Sequence, residues 1–431
     1  MRRLHYGWVV AGTAFATLVA AAAFRAAPGP LMIPLHEDLG WSVVTMSAAV
    51  SVNLVLYGLT APFAAALMER FGLRRVTGVG LLLIASGAGL SVFAQAAWQL
   101  VVTWGFLIGL GTGSMALVFA ATVANAWFVE RRGLVMGILT AGGAAGQLVF
   151  LPVVAFLAEA TSWKVASLVI AAIALAVLPL ATLVLRDRPS DLGLAPYGGT
   201  EIIPAAPPGG GVARRAVGAL RQAAGTRAFW ALVVAFAICG ATTNGLIGIH
   251  FIPSAHDHGM AVTTAAGLLT VVGLFDIVGT VASGWLTDRV DPRLLLLAYY
   301  GFRGVGLVLL PWLLSDAIHP SIIVFIVVYG LDWVATVPPT VVLCRRIFGA
   351  QGTIVFGWVF AAHQLGAAAA ALGAGVVRET FGSYTFAWFG GAALCVIAAV
   401  LSLSLRRPAN PGPAVVADRD PQSEAAADLT P

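Results

Sequence analysis

The chain has 431 residues and a net charge of +5, with 59% hydrophobic and only 10% charged residues. A soluble domain carries about a quarter charged residues, so this composition excludes an ordinary soluble enzyme and points to the membrane class. The basic excess is no nucleic-acid footprint either, because Lys and Arg gather at the ends of apolar runs and not on one soluble face.

In chain order, apolar runs long enough to cross roughly 30 Å of hydrocarbon occupy 6–35, 42–68, 74–96, 98–128, 132–160 and 163–185. Six more follow at 228–253, 261–287, 293–315, 320–344, 352–378 and 383–405. The predicted fold is an all-α membrane protein of twelve transmembrane helices. Its expected parts are an N-terminal six-helix bundle over 1–185, a cytoplasmic linker over 186–227, a C-terminal six-helix bundle over 228–407, and a disordered cytoplasmic tail over 408–431. Met1-Arg2-Arg3 before an apolar run is also how a signal peptide begins. Here the run continues to Leu35 and eleven spans follow, so it is expected to be the first span.

Cytoplasmic loops carry an excess of Lys and Arg. Of the 24 such residues, twenty fall on one side of this arrangement, Lys164 and Arg378 on the other, and Arg25 and Arg303 inside spans. Both termini and the linker are therefore expected in the cytoplasm. Arg outnumbers Lys 23 to 1, a bias of GC-rich bacterial coding, which suggests a bacterial cytoplasmic (inner) membrane. Cys239, Cys344 and Cys395 lie in or beside spans and show no disulfide or metal-ligand spacing.

The end of span 2 and the end of span 8 repeat. Glu69-Arg70-Phe71-Gly72-Leu73-Arg74-Arg75 corresponds to Asp288-Arg289-Val290-Asp291-Pro292-Arg293 at an offset of 288 − 69 = 219, and Pro34 and Pro253 are also 219 apart. One shared offset argues for two pseudo-symmetric halves.

Four charges lie deep in apolar spans: Arg25, Asp276, Arg303 and Asp332. Such residues are costly in lipid and mark a wet cavity, a substrate or proton path, or a mutual pair. Arg25 precedes Pro28 and Pro30, which cannot donate to the carbonyls of Phe24 and Ala26, so span 1 should bend there. A cation beside an interrupted helix suits an anion, although an interfacial or paired Arg25 stays open. The offset places Asn244 opposite Arg25 and Tyr57 opposite Asp276. Asp276 and Asp332 are candidates for loading and releasing a proton. Arg303 is the candidate structural counter-ion, and the pairing among the four is open. His363 is a candidate substrate donor or a satisfied core histidine. His250, His256, Asp257 and His258 cluster near the outer end of span 7, where gating is favoured over a metal site. The glycines around Gly105 to Gly113 have no preceding strand and fit close helix packing, not a phosphate loop. No metal or cofactor is expected.

The two loop segments resemble the Gly-x-Leu-x-Asp-Arg-x-Gly-Arg-Arg signature of the major facilitator superfamily. The second copy keeps Gly284, Leu286, Asp288 and Arg289. The first keeps Leu67, Arg70, Gly72 and Arg74, with Ala65 and Glu69 at the Gly and Asp positions. The resemblance implies a cavity lined by spans 1, 4, 7 and 10, and a cytoplasmic latch of Glu69, Arg70, Arg74, Asp288 and Arg289. The alternative is that Arg70, Arg74 and Arg75 are only topology determinants. Within the superfamily the chain resembles the monocarboxylate transporter and oxalate–formate antiporter branch. Tyr6-Gly7-Trp8 opens span 1, Arg25 stands near that branch's basic residue, Asp276 matches its span-8 aspartate, and Arg186 to Leu194 resembles the start of its central linker. The branch has an Arg four residues after the aspartate, where this chain has Thr280.

The resemblance implies a monomeric, proton-linked carrier of a small organic anion, with a monocarboxylate as the leading case, working by alternating access in the lipid bilayer. The alternative is an exporter of drugs or aromatic compounds, or a vitamin carrier. Gly105 stands where many drug–proton antiporters carry an Arg, which disfavours export. A membrane enzyme or sensor would need a catalytic constellation or a soluble domain, and the sequence shows neither.

Overall fold

The computed structural model describes residues 5–115, 117–202 and 211–405. The expected tail over 408–431, Arg2, Arg3 and linker residues 203–210 lie outside the described residues. Twelve helices among the described residues are long and apolar enough to cross a membrane. Span 1 is Tyr6–Arg25, span 2 Val43–Phe71, span 3 Leu73–Ser91 and span 4 Ala97–Trp127. Span 5 is Arg132–Ala160, span 6 Trp163–Val184, span 7 Arg227–Asp257 and span 8 Val262–Thr287. Span 9 is Pro292–Leu313, span 10 Pro320–Phe348, span 11 Gly352–Phe381 and span 12 Thr385–Ser404.

Local chemistry sets the ends. The first N–H groups of a helix lack intrahelical acceptors, and Ser42, Ser162 and Thr226 accept from Thr45, Val165 and Phe229 at the starts of spans 2, 6 and 7. Proline opens spans 9 and 10, where its missing donor costs nothing. As the two prolines require, span 1 stops at Arg25 and a second helix, Pro28–Leu39, carries it onward. The carbonyl of Phe24 that Pro28 cannot serve is taken by the N–H of Ala27 at 2.9 Å.

Span 1 starts beside the end of span 6, where the Tyr6 hydroxyl donates to the Val184 carbonyl at 2.7 Å. Span 9 starts beside the end of span 12, where Arg293 Nη1 donates to the Leu405 carbonyl at 2.8 Å. Both described ends of the chain therefore lie on one face, called here the terminal face. The linker is partly built. Its first stretch returns to the end of span 4, with the Tyr197 N–H donating to the Trp127 carbonyl at 2.8 Å. A helix, Val212–Ala224, then runs along span 11, where Trp358 Nε1 donates to the Ala216 carbonyl at 2.9 Å.

Buried apolar side chains form one cluster drawn almost wholly from residues 10–185 and another almost wholly from 219–405. These are the cores of the two halves. The 219-residue offset recurs in three dimensions. Gly29 and Gly248, 219 apart, touch: a Cβ on Gly29 would sit 3.4 Å from the Gly248 carbonyl oxygen. Span 4 is interrupted at Met115 and span 10 over 333–336, and the position 219 residues after Met115, Val334, falls inside that second break. Spans 2 and 11 cross between the halves, with the Ser51 hydroxyl donating to the Ala368 carbonyl at 2.8 Å.

Lipid supplies no hydrophobic drive between helices, so close approach must supply the packing. Spans 7 and 11 show this most sharply. A Cβ on Gly240 would overlap the His363 carbonyl, and one on Gly366 the Ala237 carbonyl, whereas nothing lies within 4 Å of a Cβ on Gly373. Gly240→Ala should therefore cost about 1–3 kcal/mol and lower the melting temperature in detergent, while Gly373→Ala should leave it unchanged or slightly raised. Equal melting temperatures for the two variants would contradict this packing.

Candidate functional site

Arg25 is exposed although its neighbours Phe24, Ala26 and Ala27 are buried. Its side chain reaches the space between the halves, where it meets residues of both. Two small chambers flank it. One, of about 70 Å³, is lined by Arg25, Gln147, Leu148, Gly248, Asp276 and Trp333 among others. The other, of about 50 Å³, includes Arg25, Asn53, Tyr57, Gln147, Asn244 and Gln364. Arg25, Gln147 and Gly248 belong to both.

The guanidinium carbon of Arg25 stands 5.3 Å from the centre of the Tyr57 ring, a cation–π contact that fixes its direction without neutralising it. Among the described residues no carboxylate pairs with Arg25. Asn244 lies in a wide, π-helical stretch of span 7, Ala241–Ile247. Such stretches interrupt the regular ladder and often re-aim a side chain at a functional site. Here Asn244 joins Arg25 and Tyr57 at the second chamber.

The two deep aspartates have different surroundings. Asp276 Oδ1 accepts from the Thr280 hydroxyl and from the Val334 N–H, both at 3.0 Å. Val334 lies in the break of span 10, so Asp276 supplies an acceptor that the interrupted helix has lost. Asp332, on the other side of that break, is bound to Arg303, with Nε to Oδ2 at 2.7 Å. Arg303 also donates through Nη2 to the carbonyls of Asp332 at 2.7 Å and Trp333 at 3.3 Å. The pair is buried, with Arg303 1% and Asp332 4% exposed, and borders an apolar cleft of about 370 Å³ between spans 9 and 10. Only Asp276 of the two aspartates lines a chamber with Arg25.

Residues 13–371 match the sequence profile of the Major Facilitator Superfamily. The chain belongs to that superfamily. It is a membrane transporter and not an enzyme. It is similar to Monocarboxylate transporter 13 of Bos taurus, 27% identical over 386 residues that cover 88% of this chain and 84% of that protein. Monocarboxylate transporter 11 of Mus musculus is 29% identical over 311 residues; these are 70% of this chain, and the match spans 64% of the mouse relative's length. Among solved structures, a D-xylose-proton symporter superposes with a TM-score of 0.72 at 13% identity, covering 94% of this chain and 99% of that one. At that identity the likeness is one of fold.

In this major facilitator chain the structure gathers Arg25, Tyr57, Asn244 and Asp276 around the paired chambers. His363 does not line either one. It sits one position, about 100° of helical rotation, from Gln364, stacks on Phe360 with centroids 5.8 Å apart and packs at a tilt against Phe236 at 4.9 Å. Its neighbour Gln364 takes the place at the chamber. Asp332 likewise faces Arg303 and not the chambers. The histidines near the end of span 7 do not converge: His250 bonds the Ala371 carbonyl at 2.7 Å, His258 the Ser254 carbonyl at 2.7 Å, and Asp257 pairs with Arg378 at 2.6 Å. Sequence reasoning passed over Gln147 and Gln364. An isolated amide in an apolar span was the available signal.

The loop signature behaves differently from an acid–arginine latch. Among the described residues neither Glu69 nor Asp288 forms an ion pair. Arg70 lies over the Phe71 ring at 5.2 Å and Arg289 over the Trp285 ring at 4.1 Å. The carboxylate that meets the first copy is Asp187, from the end of span 6, whose Oδ1 accepts from the Arg74 N–H at 2.9 Å. Gly72, at φ +89°, has that carboxylate where a Cβ would stand. A concavity of about 1140 Å³ surrounds this loop at the terminal face. It is an open cleft between charged loops, away from the chambers.

Removing one partner of a buried ion pair strands the other and costs about 3–5 kcal/mol, whereas replacing both by apolar residues is often tolerated. Asp332→Ala should therefore lower the melting temperature sharply, and Arg303→Met with Asp332→Leu should largely restore it with transport retained. A stably folded but inactive double variant would assign the pair to the transport reaction instead.

Proposed function

We propose that this chain carries a small organic anion, a monocarboxylate, across a bacterial cytoplasmic membrane by proton-linked alternating access. The supporting observation is an arginine without a carboxylate partner and a carboxylate bound only by a hydroxyl and an amide, lining one chamber between the halves. Arg25 takes the substrate carboxylate through charge-assisted hydrogen bonds, with Tyr57 holding its direction and Asn244, Gln147 and Gln364 offering amides to the rest of the anion. Asp276 takes the proton. Arg303 serves as structural counter-ion to Asp332, which leaves Arg25 the cation available to cargo.

The departure at Thr280 fits this assignment. With a hydroxyl in place of the branch's arginine, Asp276 has no basic neighbour one turn away on its own helix, and the anion-binding duty falls on span 1. Drug-sized ligands need pockets of roughly 300–1,000 Å³, so chambers of about 50 and 70 Å³ favour a cargo of few heavy atoms. The two mammalian relatives, both monocarboxylate transporters by name, support the same class. The basic bias of the loops makes the terminal face cytoplasmic. The Asp187 contact with Arg74 makes a candidate latch there, with Glu69 and Arg70 around it, and Asp288 and Arg289 are its candidate counterparts at the end of span 8.

Liposome uptake tests this directly. Arg25→Ala should abolish carboxylate uptake with membrane expression intact, and normal uptake by that variant would refute the assignment. Asp276→Asn should lose the response to a pH gradient while still exchanging labelled for unlabelled substrate. A variant that remains fully gradient-driven would remove Asp276 from proton coupling.

A further inference from the structure

At the face opposite the termini, two contacts between the halves repeat with the internal symmetry. Glu379, in the last turn of span 11, accepts from the Val44 N–H in the first turn of span 2 at 2.8 Å. Glu159, in the last turn of span 5, accepts from the Thr263 N–H in the first turn of span 8 at 2.9 Å. The amide donors are 263 − 44 = 219 residues apart, the repeat offset, and the carboxylates 379 − 159 = 220, one position from it. Each bond leaves one half and ends in the other, so together they close both seams where spans 2 and 11 and spans 5 and 8 meet.

The chemistry suits a reversible contact. The first turn of a helix presents unpaired N–H groups and the positive end of its dipole, which favour a carboxylate. Span 8 has Ala261 at its cap position with no side-chain acceptor, so the Glu159 carboxylate stands in for the missing cap. In span 2, Ser42 serves the Thr45 N–H, and Val44 is left for Glu379. Lys164 and Arg378, the Lys and Arg of this face, are occupied within their own halves. Arg378 grips Asp257 through two bonds of 2.6 and 3.0 Å, and Lys164 pairs with Asp38 at 3.2 Å. Asp38 and Asp257 are themselves 257 − 38 = 219 apart. Among the described residues neither Glu159 nor Glu379 has an ion pair. Glu379 also borders a cleft of about 400 Å³ lined from both halves, by which water can replace the amide when the seam parts.

We propose that Glu159 and Glu379 are a symmetry-related pair of releasable locks, each holding one seam of this face shut by capping a helix of the opposite half, so that opening the face requires both bonds to break. The locks bias the access equilibrium and touch no cargo, so the inference stands whatever the substrate is.

Spin-label distances across each seam test it in the full-length protein in liposomes. Labels at Glu37→Cys with Thr380→Cys report the first seam, and at Ala160→Cys with His258→Cys the second. All four positions are exposed, while the native Cys239, Cys344 and Cys395 are buried. Glu159→Ala and Glu379→Ala should each raise the ratio of long to short distances about threefold to tenfold. The double variant should show roughly the product of the two effects, since the contacts are far apart. Glu→Asp should act like Ala, because the charge stays but falls short of the amide. Glu→Gln should lie between, because it keeps an acceptor oxygen without the charge. A double variant with the native distance distribution would overturn the proposal, and so would a lower melting temperature without any change in that distribution. Should the Ala variants fail to reach the membrane, the double Gln variant decides the matter: a partial shift supports the locks and an unchanged distribution overturns them.

Discussion

A guanidinium at bilayer depth has to be solvated by something, and the molecule solves that problem in two opposite ways. Arg303 is buried against Asp332 and spends its other donors on the carbonyls of Asp332 and Trp333, the Cys239 sulfur and the Thr242 hydroxyl. Arg25 rests on an aromatic face and keeps its donors turned to small chambers. A site that must release its ligand needs the second arrangement, because a permanent carboxylate partner would compete with the cargo. The rest of the structure can be read as what permits an unpaired cation to stand there. The proline-induced stop in span 1 lies beside it, Tyr57 steadies it, and the seam between two similar halves leaves chambers open to it.

The breaks in the helices carry much of the chemistry. Backbone groups freed by an interruption must be satisfied inside the protein, since lipid offers no hydrogen bonds. In span 10 that need recruits both deep aspartates. Asp276 takes the Val334 N–H, while the pair of Asp332 with Arg303 takes the carbonyls on the other side of the break. The proposed proton site and the structural pair are thus joined through one short, irregular stretch of backbone. A proton arriving at Asp276 would weaken its hold on Val334, which gives the chamber a mechanical connection to a span lining the passage.

The architecture was legible in the sequence because it rests on local signals. Hydrophobic run length gave the twelve spans, loop arginines gave the even count, and the shared offset of Glu69 with Asp288 and Pro34 with Pro253 gave the repeat. Arg25 was legible too, since Pro28 and Pro30 announce the break beside it. What remained hidden depends on helix rotation and on partners distant in sequence. Whether Arg303 meets Asp332 or Asp276 is decided by how spans 8, 9 and 10 turn about their axes, which no run of residues records. The same holds for His363 and Gln364, neighbours on one helix of which the sequence favoured the more reactive side chain and the structure places the amide at the chamber. Asp187 was read as part of a linker, yet it reaches back across more than a hundred residues to the Arg74 amide.

The central claim is that an unpaired Arg25 makes the chambers selective for a negative charge on a small molecule. Calorimetric titration of the purified wild-type protein with short carboxylates and their neutral amide counterparts, at one fixed salt concentration, tests it most directly. The account predicts saturable binding of carboxylates, weakened by added salt, and none of the amides. Equal binding of acid and amide, or binding indifferent to salt, would contradict it.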